Sequence, residues 1–329
     1  MLSKSLEQVK SDLDRSRSWL TQVQSERGPA SATSFSEKPI STTKEAPKTL
    51  PSSDRKKHYL SIGAIMKNEA PYLREWIEFH KLVGVERFYL YNNESTDNTV
   101  EVLQPYIRSG EVVMEHCPTS MRQVNLAYNH CLEYYGSESE WMAFIDIDEF
   151  LFPTNEDNLK TIRDDYLEYP GLLVNWCCFG SSGHQTKPKG LTIENFTSRA
   201  NSSCATSRTV KSIVKPSFVP ACITPHIFLY IGRNLKPVTE NKIAFTQVGP
   251  RDDKTLTSSW EKIRINHYII RSREEFIAKR SRGSALFNFD RYTGDFFERH
   301  DRNAVEEDFT IQRFLPQLKQ ALQNKSQNI

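Results

Sequence analysis

The chain has 329 residues, 38% hydrophobic and 26% charged, enough for one large domain or two small ones with a sizeable core, and it is neither fibrous nor a repeat array. Lys and Arg total 43 against 41 Asp and Glu, and a net charge of +2 gives no reason to expect a nucleic-acid partner or an acidic tail. No apolar run approaches the roughly 20 residues of a membrane-spanning helix, and the N-terminus lacks the apolar core of a signal peptide, so the expectation is a cytoplasmic protein, soluble or peripheral to a membrane.

The six cysteines, including the adjacent Cys177 and Cys178, show no CxxC or Cys/His ligand spacing and read as reduced thiols. In residues 1–27, Leu2, Leu6, Val9, Leu13, Leu20 and Val23 recur in alternating four- and three-residue steps, with Ser16 at the missing position. That spacing suits a short coiled coil that makes a homo-oligomer, and equally a lone amphipathic helix. Residues 28–57 are Ser, Thr, Pro and Lys with almost no large apolar side chain, a disordered linker.

From residue 58 onward the pattern predicts alternating strands and helices. YLSIGAI is a strand, and PYLREWIEFHKLVG is a helix with Leu73, Trp76, Ile77 and His80 on one face. RFYLYN, GEVVMEH and WMAFIDI are further strands, separated by helices in DNTVEVLQPYI and SMRQVNLAYNHCLEYYG. This alternation implies βαβ crossovers and a mostly parallel sheet with flanking helices, a Rossmann-like α/β class in one domain over 58–329. After Gly171 the pattern loosens into the short strands LLVNW, RTVKSIV and RINHYII, a basic helix in SREEFIAKRSRG and a closing helix.

Ligands of open α/β sheets bind beyond the carboxyl ends of the strands, and those ends are polar here: Lys67, Asn68 and Glu69, then Asn92 and Asn93, then Asp146, Asp148 and Glu149. In WMAFIDIDEFLFP, Asp146 and Asp148 leave a buried strand two residues apart, which on a strand aims both carboxylates to one side. Two hard oxygen ligands suit Mn²⁺ or Mg²⁺ shared with a substrate diphosphate. A solvated turn is the alternative, weakened because unpaired buried carboxylates are costly.

YNNESTDNTVEVL resembles the strand-end signature of family 2-type glycosyltransferases. Together with IMKNEAPYLREWIEFH, RQVNLAYNHCL, DIDEF, WCCFGSSGH and NHYIIRSREEFIAKRSRG, it makes the chain from Tyr59 to the closing helix similar to glycosyltransferase family 92, of bacterial type. The resemblance implies a GT-A fold that transfers a sugar, with inversion, from a nucleotide-sugar donor such as a UDP-sugar to a glycan or lipid-linked acceptor, with polysaccharide biosynthesis as the setting. It implies that Asp146 and Asp148 form the metal and diphosphate site and that His267 completes the metal shell, where a core histidine is the plainer reading of RINHYII. It places Lys67, Asn68, Glu69, Asn92 and Asn93 near the nucleotide, the two asparagines replacing an acidic pair. Asp97 joins that group or caps a helix, and Arg122 and Gln123 at a helix start contact the nucleotide or solvent.

Charge that builds on the leaving diphosphate needs cations, for which Lys211, Arg280 and Arg282 are candidates. An inverting transfer needs one base for the acceptor hydroxyl, and Glu194, His226 and Glu275 all remain candidates, with Glu149 a supporting partner of Asp146 and Asp148. Trp176 and His184 are placed to meet the acceptor. A nucleotidyltransferase would also use paired carboxylates, but no Gly-rich phosphate loop is present. An inactive glycan- or partner-binding module tethered by the N-terminal helix is the non-enzymatic alternative. The sequons at Asn93, Asn195 and Asn201 read as chance matches.

Overall fold

Alternation along the strands sorts the core into two layers. On β1 (His58–Met66), Leu60, Ile62, Ala64 and Met66 face one core, shared with Phe88 and Leu90 of β2 (Arg87–Asn92) and Trp141 and Ala143 of β4 (Ser139–Phe144). Tyr89, Tyr91, Met142 and Phe144 face the other. Helices α1 (Ala70–Leu82) and α2 (Thr99–Arg108) cover the first layer, and α3 (Val124–Tyr135) covers the second. A Cβ at Gly63 would stand 2.8 Å from the Phe144 ring and 3.2 Å from Cys131 Sγ, so β1 passes under α3 only as glycine.

The computed structural model describes residues 56–118, 124–161, 165–232, 235–246, 253–283, 292 and 294–327. The heptad segment, the linker to residue 55, Arg122 and Gln123 lie outside them. Among the described residues the central sheet runs β3 (Val112–His116), β2, β1, β4, β8 (Val210–Val214), β6 (Gly171–Cys178), β12 (Ile263–His267), β5 (Glu149–Pro153). Pairs β3–β2, β2–β1, β1–β4 and β6–β12 are parallel, whereas β4–β8, β8–β6 and β12–β5 are antiparallel. This is the mixed α/β class that the alternation predicts, with the parallel run β3–β2–β1–β4 on one side of the sheet. The shorter β7 (Ser198–Ala200), β9 (Ala221–Cys222), β10 (Phe228–Leu229), β11 (Val238–Thr239) and β13 (Ala304–Glu307) trim it.

The predicted face of α1 is the buried one: Leu73, Trp76, Ile77 and His80 have no exposed surface. Each of the large apolar members contributes about 2 kcal/mol by leaving water. Polar bonds fix the register. Trp76 Nε1 donates to the Glu149 carbonyl at 2.8 Å, His80 Nδ1 donates to the Trp76 carbonyl at 2.8 Å, and His80 Nε2 accepts the Leu151 amide at 3.1 Å. The neutral imidazole thus stitches α1 to β5, directly beside the acidic turn.

Among the described residues, further helices are α4 (Thr192–Asn195), α5 (Arg273–Ser281), α6 (Phe296–Asn303) and α7 (Leu315–Gln327). Ser272 and Glu275 form a capping box at the start of α5. The two orphan amides at the start of α4 are taken by buried Glu75 of α1, which accepts Thr192 N at 2.8 Å and Ile193 N at 3.0 Å.

One expectation is corrected. The strand that carries WMAF stops at Phe144, and Asp146 and Asp148 lie in the tight turn before β5 rather than on a strand. The Glu149 carboxyl closes that turn by accepting the Asp146 amide at 2.9 Å. The two aspartates therefore reach different partners instead of one shared side.

Candidate active site

The turn between β4 and β5 presents three carboxyl groups to two lysines and a histidine. Lys211, on the neighbouring β8 and only 1% exposed, donates to Asp146 Oδ2 at 2.9 Å and stands 3.6 Å from Glu149 Oε2. Lys279 of α5 donates to Asp148 Oδ2 and to the Ile269 carbonyl, the latter at 2.8 Å. His267, the last residue of β12, holds Nε2 3.6 Å from the same Asp148 oxygen.

The protonation states follow from these contacts. Burial alone would raise both aspartates, but Lys211 holds Asp146 below its ordinary value, and Lys279 with His267 holds Asp148 well below it. Glu149 is fully buried with Oε1 unbonded, and burial beside two ionised aspartates pushes its pKa well above the usual carboxyl range despite Lys211. Burial lowers His267, so its imidazole is neutral.

A second histidine lies across Trp176. The Trp176 ring is 4.2 Å from His267 and 5.2 Å from His226, centroid to centroid. His226 Nδ1 donates to the Val210 carbonyl at 2.9 Å, which leaves the lone pair on Nε2, 4.0 Å from Asp253 Oδ2. Burial and the charge of Lys211 push its pKa down to about 3.

The end of β1 is tied to α5. Arg282 donates to Glu69 Oε1 and, at 2.8 Å, to the Asn68 carbonyl, while Asn68 sits at a positive φ of 51°. Arg271 is buried, stacks 3.5 Å over the Tyr72 ring, stands 3.8 Å from Glu69 Oε2, and has no hydrogen-bond partner on Nε or Nη2.

Residues 56–276 match the family profile of glycosyltransferase family 92. The chain belongs to that family. It is 36% identical over 166 residues to a glycosyltransferase family 92 protein of Oryza sativa subsp. japonica, a match covering 49% of this chain and 28% of that one. It is 30% identical over 179 residues to an Arabidopsis thaliana family 92 protein, covering 51% and 30%. Similarity to the Arabidopsis galactan beta-1,4-galactosyltransferase GALS2 is 28% over 127 residues, covering 35% and 24%. The chain thus spans less than a third of the length of these relatives. Among solved structures it is distantly similar to S. aureus TarS with UDP-GlcNAc, at 14% identity and TM-score 0.33 over 49% of this chain and 46% of that one.

Within this family 92 chain, Asp146, Asp148, Lys211 and His267 come together at the β4 end, and Asn68, Glu69 and Arg282 border them through α5. Lys67 is half-buried at the same strand end. Asn92 and Asn93 are held by the scaffold: Asn92 Oδ1 accepts the Ser95 amide at 2.9 Å, and Asn93 Nδ2 donates to the Cys117 carbonyl at 2.9 Å. Both oxygens of Asp97 accept main-chain amides, from Ala70 at 3.0 Å and Thr99 at 3.1 Å, so it staples the starts of α1 and α2. Glu275 accepts from Tyr72 Oη at 2.7 Å and Ser272 Oγ at 2.6 Å, which occupies both its oxygens. Glu194 pairs with Lys319 of α7 at 2.5 Å, and His184 Nε2 meets the Asn195 carbonyl at 3.2 Å, so both belong to the α4 neighbourhood. Arg280 lies on the exposed side of α5.

A ligand set of Asp146, Asp148 and His267 is not assembled: among the described residues no group of three His, Cys, Asp or Glu can hold a metal. Lys211 draws Asp146 aside. Asp148 Oδ2 and His267 Nε2, at 3.6 Å, are too far apart for a hydrogen bond, and the pair would have to close by about half an ångström to share one ion as neighbouring ligands about 2.1 Å from it. A carboxylate and an imidazole fit Mn²⁺ better than Mg²⁺.

Sequence reasoning missed Lys279 and Arg271. Helical spacing carried the signal for the first, since Lys279 follows the buried Glu275 and Phe276 by four and three residues and so faces inward. Arg271, just before the helix at a φ of 51°, gave no periodic cue.

Proposed function

We propose that this family 92 chain transfers a sugar from a UDP-sugar to a glycan or lipid-linked hydroxyl acceptor with inversion, using a divalent cation. The observation that carries the reading is the β4–β5 turn, where Asp146 and Asp148 meet two lysines and a histidine at the carboxyl edge of the sheet. Asp148 and His267 would hold the cation, which would supply Lewis-acid stabilisation of the departing diphosphate. With two protein ligands, the remaining positions fall to phosphate oxygens and water, the usual manner of binding for such ions.

The chain's own groups then divide the work. Lys211 lies within reach of the same turn and offsets negative charge there, in a buried setting where that charge acts strongly. Glu149, kept neutral, holds the Asp146 main chain in place. Of the three base candidates, His226 is the one whose accepting atom is not already engaged: its Nε2 lone pair faces Asp253, and it could take a proton from an acceptor hydroxyl once a bound diphosphate offsets the Lys211 charge that helps hold its pKa low. Trp176, between the two histidines, offers an aromatic surface to a sugar.

The test is release of nucleotide from a panel of UDP- and GDP-sugars with Mn²⁺, with and without oligosaccharide acceptors. The reading predicts acceptor-stimulated release from one UDP-sugar, lost with EDTA. No release from any donor, with ordinary binding to glycans, would instead support a glycan-binding module.

A further inference from the structure

Asp148 is the ligand the proposed cation needs most, yet its Oδ2 already carries the ammonium of Lys279. The lysine is well placed to hold it. Lys279 is 12% exposed, its ammonium is also fixed by the Ile269 carbonyl at 2.8 Å, and its helix is anchored at one end by the Ser272–Glu275 capping box and at the other by Arg282 on Glu69. A cation and an ammonium cannot share one carboxylate oxygen at contact distance in a buried site without strong repulsion. Nor can Asp148 and His267, as two ligands, repay the loss of that ion pair to a lone metal ion.

Resting on the proposed donor chemistry, we propose that Lys279 is a diphosphate-binding residue of this site that guards Asp148 when no donor is present. Lys279 releases Asp148 only when a nucleoside diphosphate arrives to accept its ammonium. The swap conserves charge pairing: the ammonium passes from a carboxylate to a phosphate oxygen, and Asp148 passes from an ammonium to the incoming cation. Buried Arg271, which has two unbonded guanidinium nitrogens and feels the charge of Asp148, adds positive potential on the same side. Metal binding by the chain is therefore conditional on the diphosphate.

The experiment follows free Mn²⁺ by its electron paramagnetic resonance signal, using the full chain with Mn²⁺ alone and with Mn²⁺ plus UDP. Wild type should take up Mn²⁺ weakly alone and stoichiometrically with UDP. Lys279→Met should bind Mn²⁺ alone at least about tenfold more tightly, and bind UDP in the presence of Mn²⁺ about tenfold more weakly. Lys279→Arg, which keeps the charge, should restore weak uptake of Mn²⁺ alone, and melting curves of both variants establish that each is folded. Uptake with UDP but equal affinity of wild type and Lys279→Met for Mn²⁺ alone would overturn the guarding role. A wild type that takes up no Mn²⁺ even with UDP would overturn the donor reading itself, and the guard with it.

Discussion

Lys211 has almost no exposed surface and faces Asp146 and Glu149 together, so its removal leaves an ionised aspartate without its buried partner. Lys211→Met is expected to lower stability by about 1 kcal/mol, read from urea unfolding, because Asp146 is 37% exposed and water takes over part of the lost pairing, with Asp146→Asn in the same chain recovering most of the loss. A double variant as unstable as the single one would show that the lysine acts through packing. Neighbouring His267 is argued to serve the ion more than the core. His267→Ala should keep the ligand-free melting temperature close to wild type while losing the stabilisation by Mn²⁺ and UDP. A variant that melts much lower yet keeps the full ligand shift would make the histidine structural. Asp148 was legible as a candidate because carboxylates two apart beside an apolar strand are costly to bury unpaired. The exchange of partners between Asp146 and Asp148 was not, because it depends on where the strand stops, and Lys211 and Lys279 come from elements 65 and 131 residues further on.

At the scale of elements, α5 links the pieces of the site, and its capping box decides how Glu275 behaves. Glu275→Gln retains an acceptor and is expected to leave transfer within about twofold, whereas Glu275→Ala should cost about 1 kcal/mol by freeing the helix start. A hundredfold fall in rate for Glu275→Gln at unchanged stability would return it to the role of base. From residue 58 to Phe144 the chain was readable because period-2 strands alternate with period-3.6 helices there, and the strand predicted at RFYLYN is β2 residue for residue. After Gly171 that alternation fails. There β6, β8 and β12 join the sheet, between β4 and the earlier β5, in an order unrelated to the sequence, and antiparallel insertions such as β8 between β4 and β6 have no local signature. His226, Asp253 and Lys279 reach the site only through that order.

For the whole molecule, the buried imidazoles set the response to acid. His80 and His226 are both pushed down to about 3, chiefly by burial, so between that value and the ordinary histidine pKa the unfolded chain binds protons that the folded chain refuses. Folding stability should accordingly fall as pH drops below about 6.5, by up to about 1.4 kcal/mol per pH unit for each histidine. Glu149, with its raised pKa, works the other way, since its folded form holds a proton that the unfolded form has lost. Buried Glu75 acts as Glu149 does and buried His267 acts as the other two imidazoles do, so three histidines outweigh two carboxyls, and urea midpoints at pH 7 and pH 5 should show the lower stability at pH 5. An unchanged or higher midpoint would mean that the imidazoles are charged in the fold. The measurement that bears most directly on the site concerns the cation. In the complex of the full chain with Mn²⁺ and UDP, electron spin echo modulation should show a nitrogen coupling from one bound imidazole, and His267→Ala should lose it. A tightly bound Mn²⁺·UDP complex of wild type without that nitrogen coupling would contradict the assignment of His267 and Asp148 as the metal-holding pair.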